Sequence, residues 1–213
     1  MKMTIRSLIF AGAGCVCLAA RPGFAQNHGF YLNAEGGVAL ADQVNLKQFF
    51  GPTGGVQLDF DTGARFTASG GWNFNEYIGI EGETGFIYNS FRKIEASLSH
   101  VPMMANVVVR YDQPNCNWIP YAGVGAGGDV SIISLDNVTG NGVTADGSEA
   151  TLEFAWQAFA GLRYRFNPSM SIGAGYKYYS VDGASWDFAG FNNSIRIGHA
   201  NVHSILIEFN MKF

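Results

Sequence analysis

Four histidines, His28, His100, His199 and His203, are the side chains with which this 213-residue chain could run acid–base chemistry near neutral pH. A hydrolase would need one of them beside a serine, with a third group orienting the ring. Ser99-His100 and His203-Ser204 are adjacent in sequence. Consecutive strand residues point to opposite faces, so neither pair can act together if it lies on a strand. His203 could meet Ser97 or Ser99 only through strand pairing. Hard oxygen ligands occur at Asp59-Phe60-Asp61-Thr62-Gly63 and at Asp146 and Glu149, in neither case with the spacing of a calcium loop. Solvated acidic loops account for both, and neither metal nor cofactor is expected.

A second set of ionisable residues is spread through the chain, out of phase with apolar neighbours. It comprises Glu35, Glu81, Glu83, Glu153 and Glu208 with Arg65, Arg110, Arg163, Arg165, Lys177 and Lys212. What matters is the element that carries them. Stretches of about 10–12 residues place an apolar residue at every second position, the period of a strand with two unlike faces. The series are Phe30–Leu40, Ala64–Trp72, Ile78–Phe86, Val101–Tyr111, Phe154–Tyr164, Met170–Tyr178 and Ile205–Phe213. Residues 119–130 form a glycine-rich eighth segment whose facing is ambiguous. Short links at Asn75-Glu76, 112–117 and Asn167-Pro168-Ser169 alternate with long polar stretches at 41–62, 89–97, 131–151 and 182–198.

About eight strands, an even number, with short turns at one end and long loops at the other predict a transmembrane up-and-down antiparallel β-barrel. Aromatics test that placement. Trp72, Phe74, Tyr77, Tyr111, Trp118, Tyr164, Phe166 and Phe213 gather near the short turns, and Phe86, Tyr88, Phe154 and Tyr178 near the long loops. Two such belts match the interfacial girdles of a bilayer. A secreted barrel or sandwich with its apolar face inward is the alternative. In the membrane reading the charged set faces the lumen, five negative against six positive. Ions in a narrow interior must pair, and eight strands leave a lumen just wide enough for side chains to fill. A structural plug and a gated or narrow ion path both fit this set.

Composition agrees. Charged residues make up 14% of the chain against about 25% in an average soluble domain. Lys2 and Arg6, an apolar run over 7–20, and Gly23-Phe24-Ala25 have the pattern of a signal peptide over residues 1–25, leaving 26–213 as the barrel domain. Cleavage takes Lys2, Arg6 and Arg21 and no acid, so 13 basic residues become 10 against 17 acidic, a net charge of −7. No basic footprint for nucleic acid remains. Only Cys116 survives cleavage, so no internal disulfide framework is expected.

The runs VPMMANVVVRYD (101–112), WIPYAGVGAGG (118–128), WQAFAGLRYRF (156–166), SIGAGYKYY (171–179) and the ending ILIEFNMKF resemble, in order and spacing, the small outer-membrane β-barrel proteins. These are the porin-like, opacity-protein family related to the OmpA membrane domain and OmpX. The resemblance implies a Gram-negative outer membrane with both barrel termini in the periplasm. It implies contact with outer-membrane lipid and lipopolysaccharide, and recognition of Phe209, Met211 and Phe213 by the barrel assembly machinery. It leaves activity open. A structural or surface-interaction role, a narrow porin for small solutes or ions, and a lipid-A-modifying enzyme are the readings, the last lacking a serine and histidine on one face. Phe49, Phe50, Trp186, Phe188 and Phe191 are the aromatics in the loops. They are candidates for contact with a host surface or envelope component, or for packing the loops onto the rim.

Overall fold

The computed structural model describes residues 28–140, 142–187 and 194–213. Among these residues it holds twelve strands and no helix. They are β1 (Gly29–Ala41), β2 (Val44–Phe49), β3 (Pro52–Leu58), β4 (Gly63–Asn73), β5 (Ile78–Ser90), β6 (Ala96–Arg110), β7 (Trp118–Gly140), β8 (Val143–Asn167), β9 (Met170–Val181), β10 (Ser185–Trp186), β11 (Ile195–Ile197) and β12 (Ala200–Lys212). Eight close into an antiparallel barrel in the order β1, β4, β5, β6, β7, β8, β9, β12. The first and last barrel strands form the seam, from Tyr31 opposite Lys212 to Ala41 opposite Val202.

Alternation sorts the two faces, and the sorting is the reverse of a water-soluble barrel. Phe66, Val124 and Ile207 point outward and are over 60% exposed, while Arg65 and Gln157 point inward and are fully buried. Bare aliphatic side chains over such an area are stable only against lipid. The glycine-rich segment whose facing sequence alone left open is β7, with Trp118 and Val124 outward and Ile119 and Tyr121 inward. Its glycines make room. Gly161 and Gly175 oppose each other across β8 and β9, and a Cβ on either would collide with the Tyr121 hydroxyl.

Short links are stitched by their own side chains. The Asn75 carboxamide oxygen accepts from the amides of Tyr77 (2.7 Å) and Ile78 (2.8 Å), an Asx turn. Asn167 does the same for the Ser169 amide at 2.9 Å.

The long stretches differ from the loops that their polarity suggested. β7 and β8 run 23 and 25 residues, where a tilted membrane strand needs about 9–11. At about 3.3 Å per residue they extend roughly 75 Å, so the hairpin over 131–151 projects well beyond the bilayer. Stretches 41–62 and 182–198 supply a second, four-stranded sheet in the order β10, β11, β2, β3. Polarity misleads here because only one face of these strands is apolar. Phe50, at the β2–β3 turn, has φ of +48°, a region a bulky residue enters only when held there. Its ring is buried, edge-on to Phe49 at 5.0 Å.

Candidate functional site

The lumen is filled in tiers, each built from inward positions on several strands. At the periplasmic end Asp112 accepts from Arg165 (2.8 Å) and from Lys212. The same Arg165 guanidinium donates to the carbonyls of Gln113 and Cys116, both at 2.6 Å, tying the β6–β7 turn to β8. Above it Arg163 donates through Nε and Nη2 to one Glu208 oxygen, at 3.0 and 2.9 Å, and lies 4.2 Å from the Tyr121 ring centroid.

The central tier turns on two glutamates two residues apart on β5. Glu83 accepts from Arg65 (3.0 Å), Lys177 (2.9 Å), Gln157 (3.0 Å) and Asn106 (3.1 Å). Lys177 also reaches Glu35 at 2.6 Å, and Arg65 donates to the Gln157 carbonyl oxygen at 3.0 Å. Glu81 is different. It is buried and held by neutral donors, Tyr31 (2.8 Å), Asn106 (3.0 Å) and Ser69 (3.2 Å), with no ion pair among the described residues. Charge-assisted bonds of this density hold side chains rigidly, because each lost partner would strand a buried charge.

The expected lumen set is therefore brought together in part. Glu35, Arg65, Glu83 and Lys177 form one cluster, Arg163 with Glu208 another, and Arg165 with Lys212 a third on Asp112. Among the described residues Glu153 accepts from Thr151 at 3.1 Å and Arg110 donates to the Asn75 carbonyl at 2.5 Å, and neither is in an ion pair. Asp112 escaped sequence reasoning because it was read as part of a turn. Asn106 and Gln157, neutral residues bridging charged ones, carried no charge signal.

A further tier, above the central one, is built around Asp129. It accepts from Tyr179 (2.7 Å) and Ser131 (2.6 Å), and His100 Nδ1 lies 2.7 Å away. Serine, histidine and aspartate thus meet, but not as a hydrolytic relay. Ser131 Oγ and the carboxylate both sit on the same ring nitrogen, and the serine proton is directed at Asp129. A catalytic relay needs serine and carboxylate on opposite nitrogens. All three residues are also buried to within 2%. His203, by contrast, lies on the outer face, with Nδ1 2.5 Å from the Tyr176 hydroxyl and Nε2 3.5 Å from Asp42, while Ser204 is turned inward and buried.

Apolar side chains share the interior at this level. Ala39, Ile87, Met104, Ala155, Val181 and Val202 cluster with the Tyr179 ring, Ile87 pairing across the strands with His100 and Met104 with Glu83, so this apolar group interleaves with the polar tiers. Over it stands the crown, where the small sheet packs on the projecting hairpin through Val44, Leu98, Ile133, Leu135, Trp186 and Ile195. Phe49, Phe50 and Trp186 lie inside this core, not on its surface, and the Trp186 indole donates to the Ser131 carbonyl at 2.9 Å. Phe188 and Phe191 lie outside the described residues. At the other end Phe209 faces outward, the Phe213 ring lies tilted 5.8 Å from that of Phe30, and the Phe213 amide donates to the Phe30 carbonyl at 3.0 Å.

Comparison with known proteins agrees with this architecture. Residues 8–213 match the model of the outer membrane protein beta-barrel domain. The structure is similar to that of Neisserial surface protein A, with a TM-score of 0.57 and 15% identity, covering 87% of this chain and 97% of that one. It is also similar to the outer membrane protein OprG from Pseudomonas aeruginosa, with a TM-score of 0.59 and 12% identity, covering 90% and 100%. At such identities these likenesses speak to fold. No curated protein matches the sequence.

Proposed function

The chain belongs to the outer membrane protein beta-barrel domain family, an integral protein of the Gram-negative outer membrane, and on that premise we propose that it is a closed-lumen barrel whose work is surface interaction through its extracellular crown. The observation that carries this reading is the central tier. Arg65, Lys177 and Gln157 are buried to 2% or less at mid-lumen, cross-linked to Glu83 and flanked by the apolar cluster around Tyr179. An ion following the axis would have to break several charge-assisted bonds and shed its water among these buried side chains. Planar-bilayer recording of the refolded protein tests it. Very low conductance is expected; stable, large unitary currents would favour the narrow porin and sink the proposal.

The crown is the part offered to a host surface or to another envelope component. Its outer surface carries the exposed acids Asp61, Asp136 and Asp146. Exchanging residues 182–198 for a short turn and measuring cell adhesion or serum binding separates a contact role from simple packing. The lumen is not a hydrolytic centre in this reading, and what supports that is the wiring of His100, Ser131 and Asp129. Residues 1–25 act as the leader, and the outward Phe209 and the terminal Phe213 serve the assembly machinery. The outer-membrane fraction tests both: the mature chain begins at Gln26, and deleting Phe213 lowers the yield. An unprocessed N-terminus or an unchanged yield would count against them.

A further inference from the structure

Between the projecting hairpin and the small sheet lies a cleft of about 370 Å³, within the range of small-molecule sites. We propose that it binds a small, uncharged, apolar molecule reaching the crown from the extracellular side. From the small sheet it is lined by Leu46 on β2, Val56 on β3, and Ile195 and Ile197 on β11, and from the hairpin by Ile133 and Leu135. Among the described residues none that lines it is charged. The two hydroxyls in the wall already have partners: Thr53 donates to the Leu46 carbonyl at 2.5 Å, and Thr139 is bonded to Thr144 at 2.8 Å. The walls therefore ask nothing polar of an occupant, and a ligand bringing a buried polar group would leave it unpaired.

Two further observations narrow the occupant. Val56, 49% exposed, is the one large apolar side chain of the crown that stands so open among the described residues, and it stands at this cleft. The adjoining cleft shares Phe91, Ile94, Ala96 and Leu135 with it and carries the carboxylates of Glu95 and Asp136. An anionic head, whether of a fatty acid or of a lipid, would meet those acids at the rim. Charge thus selects an uncharged hydrocarbon-like molecule over an anionic amphiphile. The inference rests on the crown alone and holds whether or not the lumen conducts.

The test uses the full mature chain in nanodiscs of deuterated phospholipid, with naphthalene as the probe and isotope-labelled isoleucine methyls as reporters. Saturable contacts from naphthalene protons to Ile133, Ile195 and Ile197, absent at the lumen residue Ile87, are expected. Ala96→Phe, which fills the cleft from its floor, should weaken binding about tenfold or more. Val138→Phe fills it from the hairpin and serves if the first variant disturbs the crown, judged by the Ile87 and Ile205 methyls. Contacts that rise without saturation, or that survive both variants, overturn the site. In protonated lipid, contacts from acyl chains to the same three methyls, displacing naphthalene, would show a lipid occupant and equally overturn the proposal.

Discussion

The lumen and the crown are built partly from the same strands and follow opposite rules. On β6 the inward residues run Arg110, Val108, Asn106, Met104, Pro102, His100, and then Leu98 and Ala96; on β7 they reach Asp129 and Ser131, and then Ile133 and Leu135. Charged and amide side chains point inward, interleaved with apolar ones such as Val108 and Met104, where the outside is lipid, and the inward set turns apolar where the outside is water. The strand period never changes. What changes is which face the surroundings allow to be greasy. Below that level stability depends on matching charges, and above it on burying hydrocarbon.

Breaking each region by its own rule gives the sharpest contrast. Glu83→Ala leaves Arg65 and Lys177 buried without their shared partner and should cost about 3–5 kcal/mol of barrel stability, read by urea unfolding in lipid vesicles. A transition unmoved by this change would mean that the central tier is not what braces the barrel. Leu98→Ala, at the level where β6 changes rule, should cost about 3 kcal/mol. That loss should be confined to the crown, showing as faster proteolysis of residues 131–151 with the barrel transition unchanged. If the barrel transition fell in step, the two regions would be one cooperative unit.

The outer face offers a smaller comparison on a single strand. Val124→Arg, facing mid-bilayer, should destabilise by about 2 kcal/mol, whereas Ser134→Arg, facing outward ten residues further along β7, should stay within about 0.5 kcal/mol. Equal penalties would place the membrane boundary higher on the hairpin than the aromatic belt indicates.

The eight barrel strands are legible in the sequence because the bilayer forces strict alternation, from Phe30 to Leu40 and from Ile205 to Phe213. The crown is not. Its apolar residues fall on short strands such as Ile195–Ile197, or among the serines, threonines and glycines of 131–151, where spacing of two looks like scatter. Within the lumen, inward parity was readable for Arg163 and Glu208, on β8 and β12, two strands apart around the barrel. That Asp112 would anchor Arg165 and Lys212 was not, because this pairing depends on where the β6–β7 turn leaves a carboxylate. Glu153 shows the complementary limit: correct parity does not choose a partner.

The seam between β1 and β12 has a consequence for how the molecule is made. It joins positions as far apart as Tyr31 and Lys212, so its contacts have nearly the largest separation the chain permits. Such contacts are entropically the dearest to form and come late. Until synthesis reaches the final residues, β1 has no partner on one side, and a nascent or C-terminally clipped chain is an open sheet with two bare edges, the geometry from which strands cross-pair and aggregate. Completeness is thus checked by topology itself: only an intact polypeptide can become a cylinder.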